Sequence, residues 1–593
     1  MEPSAQLLAG RRALDRVPTI EIIEDWTSFG HQWALRIRIS ISDSSALVPA
    51  LSDWYLLADA DYPQGRILML PAKTNSIQET FQHQRYNDEG PKSLPWRTGN
   101  ICLSTNELRS GSLISPVEPW DARDRLLWSA ERGIAWLTDA ALNKLAVPGQ
   151  PFELPDFPST DNFGIIGYNE DVNSLNFFTG AKPLFGTGKL LRPSFNQELV
   201  FLTELSDIHG SSVKTFDWGS AASGGRSEAT CWFRLSAPPF FAPWRSPNTF
   251  GELHKICAND GLDLYRVLRT AFMRLGCPNS FLAVIGFPIP ETIGGPAAQM
   301  HWQTFRISGL EKKKGIRDQP EHQWNVHCKT TIGPQQKIQW LASENWAKTQ
   351  LRSRGSLPAS VKQKMLLIGA GAVGSIVAEN CARGGIENIT IIDPQELAIG
   401  NLVRHTLDMS SVGANKAEEL AQRLNLIGPH IAAKSIAQRL GVTHEAGKLV
   451  AEEYDLIIDC SATDQVPLAL SKLKFKKPTR VASFSITQGA DKMLMFCSEG
   501  TSFDLQKFYE LMNPILDSEI QRLANEPLPR EGIGCWHPVF PGAYHDISAL
   551  TGFAIKRLGA IASSPWKTQL QVFSNTADGI NLFWFAGEKP DDV

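Results

Sequence analysis

The chain has 593 residues, several times the length of a typical domain of about 100–200 residues, so it must contain more than one hydrophobic core. Hydrophobic residues make up 42% and charged residues 20% of the sequence, which is typical of soluble globular proteins and excludes collagen-like or extensively disordered chains. The net charge of −4 provides no overall basic field, so we expect neither nucleic acid nor a membrane as a partner.

Nine cysteines are spread along the chain without a C-x-x-C pair, which predicts neither a disulfide framework nor a zinc ribbon. The first residues lack the charged, apolar and small segments of a signal peptide, and no apolar stretch reaches the roughly 20 residues that span a bilayer. We therefore expect a cytoplasmic protein with reduced thiols.

Residues 15–155 are predicted to form the first domain. Two β-like runs, at 33–42 and 65–71, indicate a sheet. Apolar residues then recur near a period of 3.6 from about 120 to 145, which predicts a helix that ends before a proline-rich segment. The expected fold class of this part is α+β.

Residues 156–350 mix strand-like runs with loops rich in serine, glycine and proline, and we interpret them as a linker domain without a recognisable motif. A polar stretch at 342–363 marks the next boundary. Beyond it, apolar strand-like runs alternate with amphipathic helical runs, a pattern typical of parallel strands joined by crossover helices. Residues 351–593 are therefore predicted to form a Rossmann-like α/β domain.

A glycine motif opens this last domain. Gly369, Gly371 and Gly374 in MLLIGAGAVG directly follow an apolar strand, and Asp393 ends the next strand. In this context the first glycine permits a tight turn, the second admits a phosphate and the third lets helix and strand pack closely, while the acid accepts a hydrogen bond from a ribose hydroxyl. The motif predicts a nucleotide site.

Two cations, Arg404 and Lys416, follow Asp393 within the predicted crevice at the carboxyl ends of the strands. A triphosphate and its departing pyrophosphate need such charges, whereas a dehydrogenase has no general need for them there. Two alternatives remain at this point. One is an NAD-dependent dehydrogenase that uses the same glycines, and the other is a pair of solvated helix charges.

Five motifs in order resemble the ThiF-type adenylation domain of ubiquitin-activating enzymes and of bacterial enzymes that charge sulfur carriers. They are GAGAVG, IIDP, NLVRH, VGANKAEELAQRLN and LIIDCSATDQV. The resemblance implies that ATP and Mg²⁺ are used. It implies that the glycines cradle ATP, that one acid holds the ribose, and that an amide and two catalytic cations hold phosphates: Gly369, Gly371, Gly374, Asp393, Asn401, Arg404 and Lys416.

The resemblance also implies that Asp464 supports Mg²⁺. Asp459 is the alternative, because the spacing between these two aspartates is one residue longer than in the sulfur-carrier enzymes. His405 stands where many relatives have glutamine. Adenylation domains of this family form two-fold dimers, so a homodimer is expected, in which Arg352 or Arg354 reaches the partner's site as an arginine finger.

Cys535 lies in a glycine- and proline-rich segment, EGIGCWHPVFPG, beside His537. A cysteine in such a loop is less suited to core packing, and a neighbouring histidine favours the thiolate. The segment resembles the one that carries the catalytic cysteine in bacterial fused activating enzymes. The resemblance implies that Cys535 receives the activated acyl group as a thioester. A structural loop cysteine is the alternative.

Cys102 lies in RTGNICLSTNE, which resembles the active-site segment of ubiquitin-conjugating enzymes. The resemblance implies a catalytic cysteine that accepts the acyl group from Cys535 and presents it to a lysine. The His-Pro-Asn tripeptide of eukaryotic members, whose asparagine stabilises the oxyanion, is absent here. His83 and Asn87 lie too far up the chain to be equated with it, and Asn100 is the alternative oxyanion donor. Alone, the apolar neighbours of Cys102 favour a buried strand cysteine.

The three predicted domains together resemble bacterial fused activating and conjugating proteins of anti-phage islands, most closely the CD-NTase-associated transferases of CBASS systems. The resemblance implies that the C-terminus of a cGAS-like nucleotidyltransferase is adenylated, passed along two cysteines and conjugated to a target lysine. The sequence leaves open the same chemistry on a bacterial ubiquitin-like protein. It also leaves open a sulfur-carrier adenylyltransferase and a non-catalytic scaffold.

Overall fold

A computed structural model describes residues 2–103, 118–159, 163–179, 184–311, 319–358, 364–441, 454–524, 530–531, 537–538, 540–562 and 565–587. The chain forms two compact units. The first comprises Met1–Arg192, Asn196–Phe216 and Ser227–Asn345, and the second comprises Pro193–Phe195, Asp217–Arg226 and Trp346–Val593. Within the described residues, no helix is long and apolar enough to cross a membrane.

The first unit begins with a four-stranded antiparallel meander in the order β1-β2-β3-β4. Its strands and flanking helices are α1 (Ala5–Leu14), β1 (Ile20–Phe29), β2 (Gln32–Ser40), β3 (Leu51–Asp59), β4 (Ile67–Pro71) and α2 (Ala122–Ala141). Both helices contribute to one core with alternate residues of the strands, including Leu7, Leu35, Trp54 and Leu126. The predicted α+β class is confirmed.

The rest of the first unit is built around an eight-stranded sheet in the order β5-β12-β11-β10-β9-β6-β7-β8. Its elements are β5 (Ile165–Tyr168), α3 (Ser174–Thr179), β6 (Phe185–Arg192), β7 (Leu199–Ser206), β8 (Ser212–Thr215), β9 (Arg226–Arg234), α4 (Phe250–Asn259), α5 (Leu264–Arg274), β10 (Phe281–Pro290), β11 (Ala297–Ile307), α6 (Pro320–Thr330) and β12 (Gln339–Asn345). A further pairing of β5 with β7 closes the run into a ring, from which β8 extends.

The second unit contains another eight-stranded sheet, in the order β15-β14-β13-β16-β17-β18-β21-β22. Its elements are α7 (Lys348–Arg352), β13 (Met365–Ile368), α8 (Ala372–Arg383), β14 (Asn388–Ile392), α9 (Lys416–Asn425), β15 (Ala432–Ile436), β16 (Leu456–Asp459), α10 (Gln465–Ser471), β17 (Thr479–Ile486), β18 (Lys492–Gly500), α11 (Leu505–Leu523), β19 (Arg530–Glu531), β20 (His537–Pro538), α12 (Tyr544–Ile561), β21 (Gln569–Thr576) and β22 (Gly579–Gly587). The strands from β15 to β17 are parallel, as predicted.

Both faces of this parallel sheet are buried. Along β13, Met365 and Leu367 belong to the core beneath α8 and α12, whereas Leu366 and Ile368 belong to the core on the other face. A sheet covered by helices on both sides requires such continuous apolar strands. The strand order reverses between β13 and β16, and in doubly wound folds ligands bind beside that reversal.

A short segment from the middle of the sequence belongs to the second unit. The backbone N–H groups of Gly219 and Ser220 donate to the carbonyl oxygens of Pro429 and Ile431 at 2.7 and 2.8 Å. Trp218 stacks on the ring of His430 with 5.3 Å between ring centroids. This segment therefore packs against the residues that lead into β15, the edge strand of the α/β sheet.

Candidate functional site

A cavity of about 290 Å³ lies at the carboxyl ends of the central parallel strands in the second unit. The glycine loop after β13, Asp393 after β14 and the residues after β16 contribute to its lining. This is the position beside the strand-order reversal where a doubly wound fold binds a nucleotide. Three of the residues predicted to bind the nucleotide, Gly369, Gly371 and Asp393, therefore line one cavity.

Each of the three motif positions requires glycine for a different structural reason. Gly369 has φ +91°, and a Cβ atom there would lie 2.8 Å from the backbone of Ser461. A Cβ at Gly374 would lie 1.9 Å from the carbonyl oxygen of Gly369, so this glycine permits helix and loop to pack. A Cβ at Gly371 would meet nothing within 4 Å, so Gly371 leaves open space for a ligand.

Two side chains fix the conformation of the glycine loop. Asp393 accepts the Ala370 N–H at 2.7 Å and the Gln395 N–H at 2.8 Å. The His405 ring accepts the Leu407 N–H at Nδ1 (3.1 Å), so its Nε2 carries the proton that is donated to the Ala370 carbonyl at 2.6 Å. Burial lowers the pKa of His405, which keeps the ring neutral.

The three predicted phosphate ligands already have partners within the protein. The Lys416 ammonium donates to the side-chain oxygen of Gln395 at 2.9 Å, and the Arg404 guanidinium donates to the Phe540 carbonyl at 2.6 Å. The Asn401 side chain accepts the N–H of Ala398 at 3.1 Å. Asn401, Arg404 and Lys416 are not among the described residues that line the cavity. Gln395, which accepts from Lys416, does line it.

Lys416 nevertheless has the properties of a cation that can bind an anionic ligand. Its side chain is buried, and burial lowers its pKa while the nearby Asp393 carboxylate opposes that shift. A buried ammonium with one amide partner gains energy from a second, negatively charged partner. The alternative of a solvated helix charge therefore does not fit Lys416.

The structure separates the two candidate aspartates. Asp459 is buried and accepts hydrogen bonds from the Ser461 N–H (2.9 Å), the Ser461 hydroxyl (2.7 Å) and the Ser483 hydroxyl (3.2 Å). Burial raises its pKa, which disfavours a charged metal ligand. Asp464 is exposed, and among the described residues its carboxylate accepts only a 3.2 Å hydrogen bond from the Tyr509 hydroxyl. Between the two aspartates, Ala462 has φ +52°.

The two candidate arginine fingers also differ. Arg352 forms an ion pair with Glu387 and donates to the Gly385 carbonyl at 2.9 Å within the same chain. Arg354 is exposed and has no hydrogen bond or ion pair with any residue that the structure describes. Arg354 is therefore the one whose guanidinium is available to another molecule.

The sequence did not single out most of the residues that line the nucleotide cavity, among them four that follow strands β14 and β15. Gln395 follows β14, and Gln438, Arg439 and Leu440 follow β15. The available signal was topological, because residues at the carboxyl ends of parallel strands share one edge of the sheet.

Cys102 lies on the surface of the first unit. Among the eight cysteines that the structure describes, Cys102 alone is exposed, whereas burial raises the pKa of others such as Cys231 and Cys381. Its backbone N–H donates to the His83 carbonyl at 2.8 Å, and Ile101 beside it is buried. The alternative of a buried strand cysteine is therefore wrong. Cys535 lies outside the described residues.

Two asparagines near Cys102 differ in whether their side-chain amides have free hydrogen-bond donors. The buried Asn87 donates to the Ile77 and Glu79 carbonyls and accepts from Arg97, so its amide is fully used. The Asn100 side-chain oxygen accepts the Met69 N–H at 3.0 Å. Its amide nitrogen has no partner among the described residues and is free to donate.

Comparisons with known proteins match nearly the whole chain. A family model described as "Cap2 central linker domain" matches residues 143–346, and one described as "ThiF family" matches residues 351–481. The ATP-dependent ubiquitin transferase-like protein Cap2 of Enterobacter hormaechei subsp. hoffmannii (strain UCI 50) is 32% identical over 97% of this chain and 97% of its own length.

Other relatives match smaller parts of the chain. The molybdopterin-synthase adenylyltransferase of Escherichia coli (strain K12) is 35% identical over 17% of this chain and 40% of its own. The crystal structure of E. coli MccB with ATP is 18% identical, with a TM-score of 0.27, over 39% of this chain and 64% of that one. From the full-length match, the chain belongs to the Cap2 family of ATP-dependent ubiquitin transferase-like proteins.

Proposed function

We propose that this chain activates the C-terminal carboxylate of a protein with ATP and conjugates it to a lysine through Cys535 and Cys102. The proposal is carried by the presence of two features in one chain. One is a cavity beside the glycine loop, and the other is an exposed cysteine in a segment that resembles the active site of conjugating enzymes. Family membership argues against an NAD-dependent dehydrogenase, because Gly369, Gly371 and Gly374 lie within the residues that match the ThiF family. The proposed substrate is a cGAS-like nucleotidyltransferase of a CBASS system.

In the first step the substrate carboxylate attacks the α-phosphate of ATP, and pyrophosphate leaves. The glycine loop admits the phosphates at Gly371, Asp393 accepts from the ribose, and the buried Lys416 turns from Gln395 towards the developing charge. Mg²⁺ bound with the help of Asp464 would supply further neutralisation of pyrophosphate, since an exposed carboxylate suits a hard cation. Asn401 and Arg404 complete the proposed phosphate contacts.

In the second step the Cys535 thiolate attacks the acyl adenylate and AMP leaves. A thioester keeps the acyl group reactive towards amines while it is handed on. The Cys102 thiolate then displaces Cys535, and a lysine amine finally displaces Cys102. The exposed position of Cys102 supports this role, because both exchange steps require access for another large group.

The experiment incubates the full chain with ATP, Mg²⁺ and a cGAS-like nucleotidyltransferase, and detects adducts before and after thiol treatment. We expect a thiol-sensitive adduct that is lost with Cys535→Ala. With Cys102→Ala the adduct on Cys535 persists while lysine conjugates disappear, and the partly buried Cys328→Ala is the matched control. Conjugates that survive Cys102→Ala would overturn the relay. A bacterial ubiquitin-like protein in place of the nucleotidyltransferase tests the alternative substrate.

We also propose that the chain acts as a homodimer in which Arg354 of one copy serves the nucleotide site of the other. Mixing an Arg354→Ala chain with a Gly371→Ala chain tests this directly, because one site of the mixed dimer is then intact. Recovery of pyrophosphate exchange in the mixture supports action across the dimer. Recovery that never exceeds the sum of the two separate variants contradicts it.

A further inference from the structure

The segment Asp217–Arg226 lies within the residues that match the linker family, yet it belongs to the second unit together with the adenylation domain. We call it the docked segment. Its place depends on a close approach of two backbones, because a Cβ atom at Gly219 would lie 2.2 Å from the carbonyl oxygen of Ile431. Only glycine fits there without a shift of the backbone. The backbone hydrogen bonds of the docked segment to the residues before β15 require this glycine.

Aromatic rings join the docked segment to the residue that opens the adenylation region. The Trp218 ring stacks on His430 and lies edge-on to Trp346, with 6.3 Å between the two tryptophan centroids. His430 is buried, and its Nε2 donates to the Trp346 carbonyl at 2.7 Å. Asp217 lies 3.8 Å from the Lys348 ammonium. The ring and the backbone of Trp346 are therefore both held by groups in contact with Trp218.

The helix α7 (Lys348–Arg352) begins two residues after Trp346. One carboxylate joins both of its ends, because Glu387 accepts from Lys348 at 2.8 Å and forms an ion pair with Arg352. A helix of five residues is not stable by itself in water. The position of α7 therefore depends on these ion pairs and on the fixed residue before it.

Arg354 follows the last residue of α7 by two positions. It is exposed and has no hydrogen bond or ion pair with any residue that the structure describes, so the preceding helix determines which region its guanidinium can reach. A cation that stabilises a developing charge loses much of its effect when it is misplaced by about 1 Å. The contacts that hold α7 therefore bear on the action of Arg354.

We propose that Trp218 is a positioning residue for Arg354. The docked segment holds α7 in place, and α7 presents Arg354 to the nucleotide site. The inference rests on the proposed function, in which Arg354 of one copy serves the site of the other. It gives the linker region a part in adenylation. It also requires that the docked segment of one chain acts on the partner's nucleotide site and not on its own.

The first test measures ATP–pyrophosphate exchange by the full chain with Mg²⁺ and the cGAS-like nucleotidyltransferase. With Trp218→Ala we expect kcat to fall by about 10–100-fold and the KM for ATP to change by less than about threefold. The reason is that the described lining of the nucleotide cavity contains no residue of the docked segment or of α7. Trp218→Phe keeps a ring on His430 and should stay within about threefold of the unaltered kcat. Phe583→Ala, which removes an exposed ring in the same unit, is the matched control.

A double variant separates positioning from a general loss of stability. If Trp218 acts through Arg354, Trp218→Ala has nothing further to remove once residue 354 is alanine. The double variant should then match Arg354→Ala within about twofold, whereas independent defects would multiply. Gly219→Ala disturbs a different contact of the docked segment and should show the same dependence on Arg354. It keeps the test decisive if Trp218→Ala folds poorly, which thermal melting of each variant reveals.

Mixed dimers show which copy the docked segment serves. Trp218→Ala mixed with Gly371→Ala should recover exchange, because the Trp218→Ala copy keeps its own glycine loop and receives Arg354 from a copy with an intact docked segment. Trp218→Ala mixed with Arg354→Ala should not exceed the sum of the two separate variants, since no site then receives a well-placed arginine.

Four outcomes would overturn this inference while leaving adenylation by the chain intact. They are unaltered kcat in Trp218→Ala, a double variant far slower than Arg354→Ala, recovery in the mixture with Arg354→Ala, and no recovery in the mixture with Gly371→Ala. Full exchange by Arg354→Ala would overturn the role of Arg354 and this inference with it. No exchange by the unaltered chain would instead overturn the proposed function.

Discussion

The His405 ring donates to the carbonyl oxygen of Ala370 at 2.6 Å, across 35 positions of the sequence. The N–H of the same Ala370 donates to Asp393 at 2.7 Å. Side chains from two separate segments thus hold both backbone polar groups of one residue in the glycine loop. The loop is therefore set for a ligand before the ligand arrives, which reduces the ordering cost of binding.

Replacing His405 tests this support. His405→Ala leaves the Ala370 carbonyl buried without its donor, at a cost of about 1–3 kcal/mol. We expect that loss in the free energy of unfolding, together with a higher KM for ATP in pyrophosphate exchange. His405→Gln retains an N–H donor and is expected to lie close to the unaltered chain. Equal behaviour of the alanine and glutamine variants would contradict the assignment.

His405 also predicts a pH dependence of stability. Burial lowers its pKa in the folded chain, so below its ordinary value of about 6.5 the unfolded chain binds a proton that the folded chain does not. The free energy of unfolding therefore falls as the pH drops below about 6.5, and the contribution is absent above it. Denaturation at several pH values should show a shallower decline for His405→Gln. The highly exposed His545→Gln is the control and should match the unaltered chain.

Gly371 and Gly374 form a matched pair for testing the nucleotide site. Gly371→Ala points into open space, so the chain should fold normally, whereas the new methyl group obstructs the approach of a phosphate. We expect near-unaltered thermal stability and loss of pyrophosphate exchange. Gly374→Ala would place a Cβ 1.9 Å from the Gly369 carbonyl oxygen and should destabilise the unit by more than about 1 kcal/mol. Normal exchange by Gly371→Ala would exclude this loop as the phosphate site.

The parts of the site that the sequence predicts are local. Gly369, Gly371 and Gly374 occupy one strand-turn-helix, so their spacing alone specifies the turn. Lys416 was predicted to face phosphate, but its resting partner Gln395 follows a different strand and could not be predicted from spacing. The bond from Arg404 to the Phe540 carbonyl joins residues 136 positions apart, which no local pattern contains.

The exposure of Cys102 could not be predicted from local sequence for the same reason. In the sequence its apolar neighbours favour burial, yet its exposure is decided by the backbone pairing with the segment that contains His83. The middle sheet pairs Ala342 in β12 with Ile165 in β5, far apart in the chain, so its closed topology was beyond periodicity arguments.

Substitutions of Asp459, the last residue of β16, and of Asp464, in the segment beyond it, should have different kinds of effect. Asp464→Asn removes an exposed carboxylate, so we expect normal stability and a higher Mg²⁺ concentration for half-maximal pyrophosphate exchange. Asp459→Ala removes the buried acceptor of three hydrogen bonds and should lower the free energy of unfolding by about 2–4 kcal/mol. A change in Mg²⁺ dependence for a fully folded Asp459→Asn, without one for Asp464→Asn, would reverse the assignment.

Asn100 provides a separate test of the chemistry at Cys102. Its side-chain oxygen accepts the Met69 N–H, which leaves the amide N–H groups as the donors available to an oxyanion. Asn100→Asp keeps the acceptor for Met69 and removes the donors. We therefore expect unchanged thermal stability and a fall of about 10²–10³ in the rate of discharge from Cys102, the usual effect of losing one oxyanion donor.

The choice of nucleophile separates an oxyanion role of Asn100 from a role in binding the amine. An oxyanion forms on the thioester carbonyl whether lysine or hydroxylamine attacks, so Asn100→Asp must slow both reactions to the same extent. Asn87→Asp is the structural comparison, because its carboxylate would face the Ile77 and Glu79 carbonyls and should lower the melting temperature. A loss with lysine alone would assign Asn100 to amine binding, and normal rates with both nucleophiles would remove it from the site.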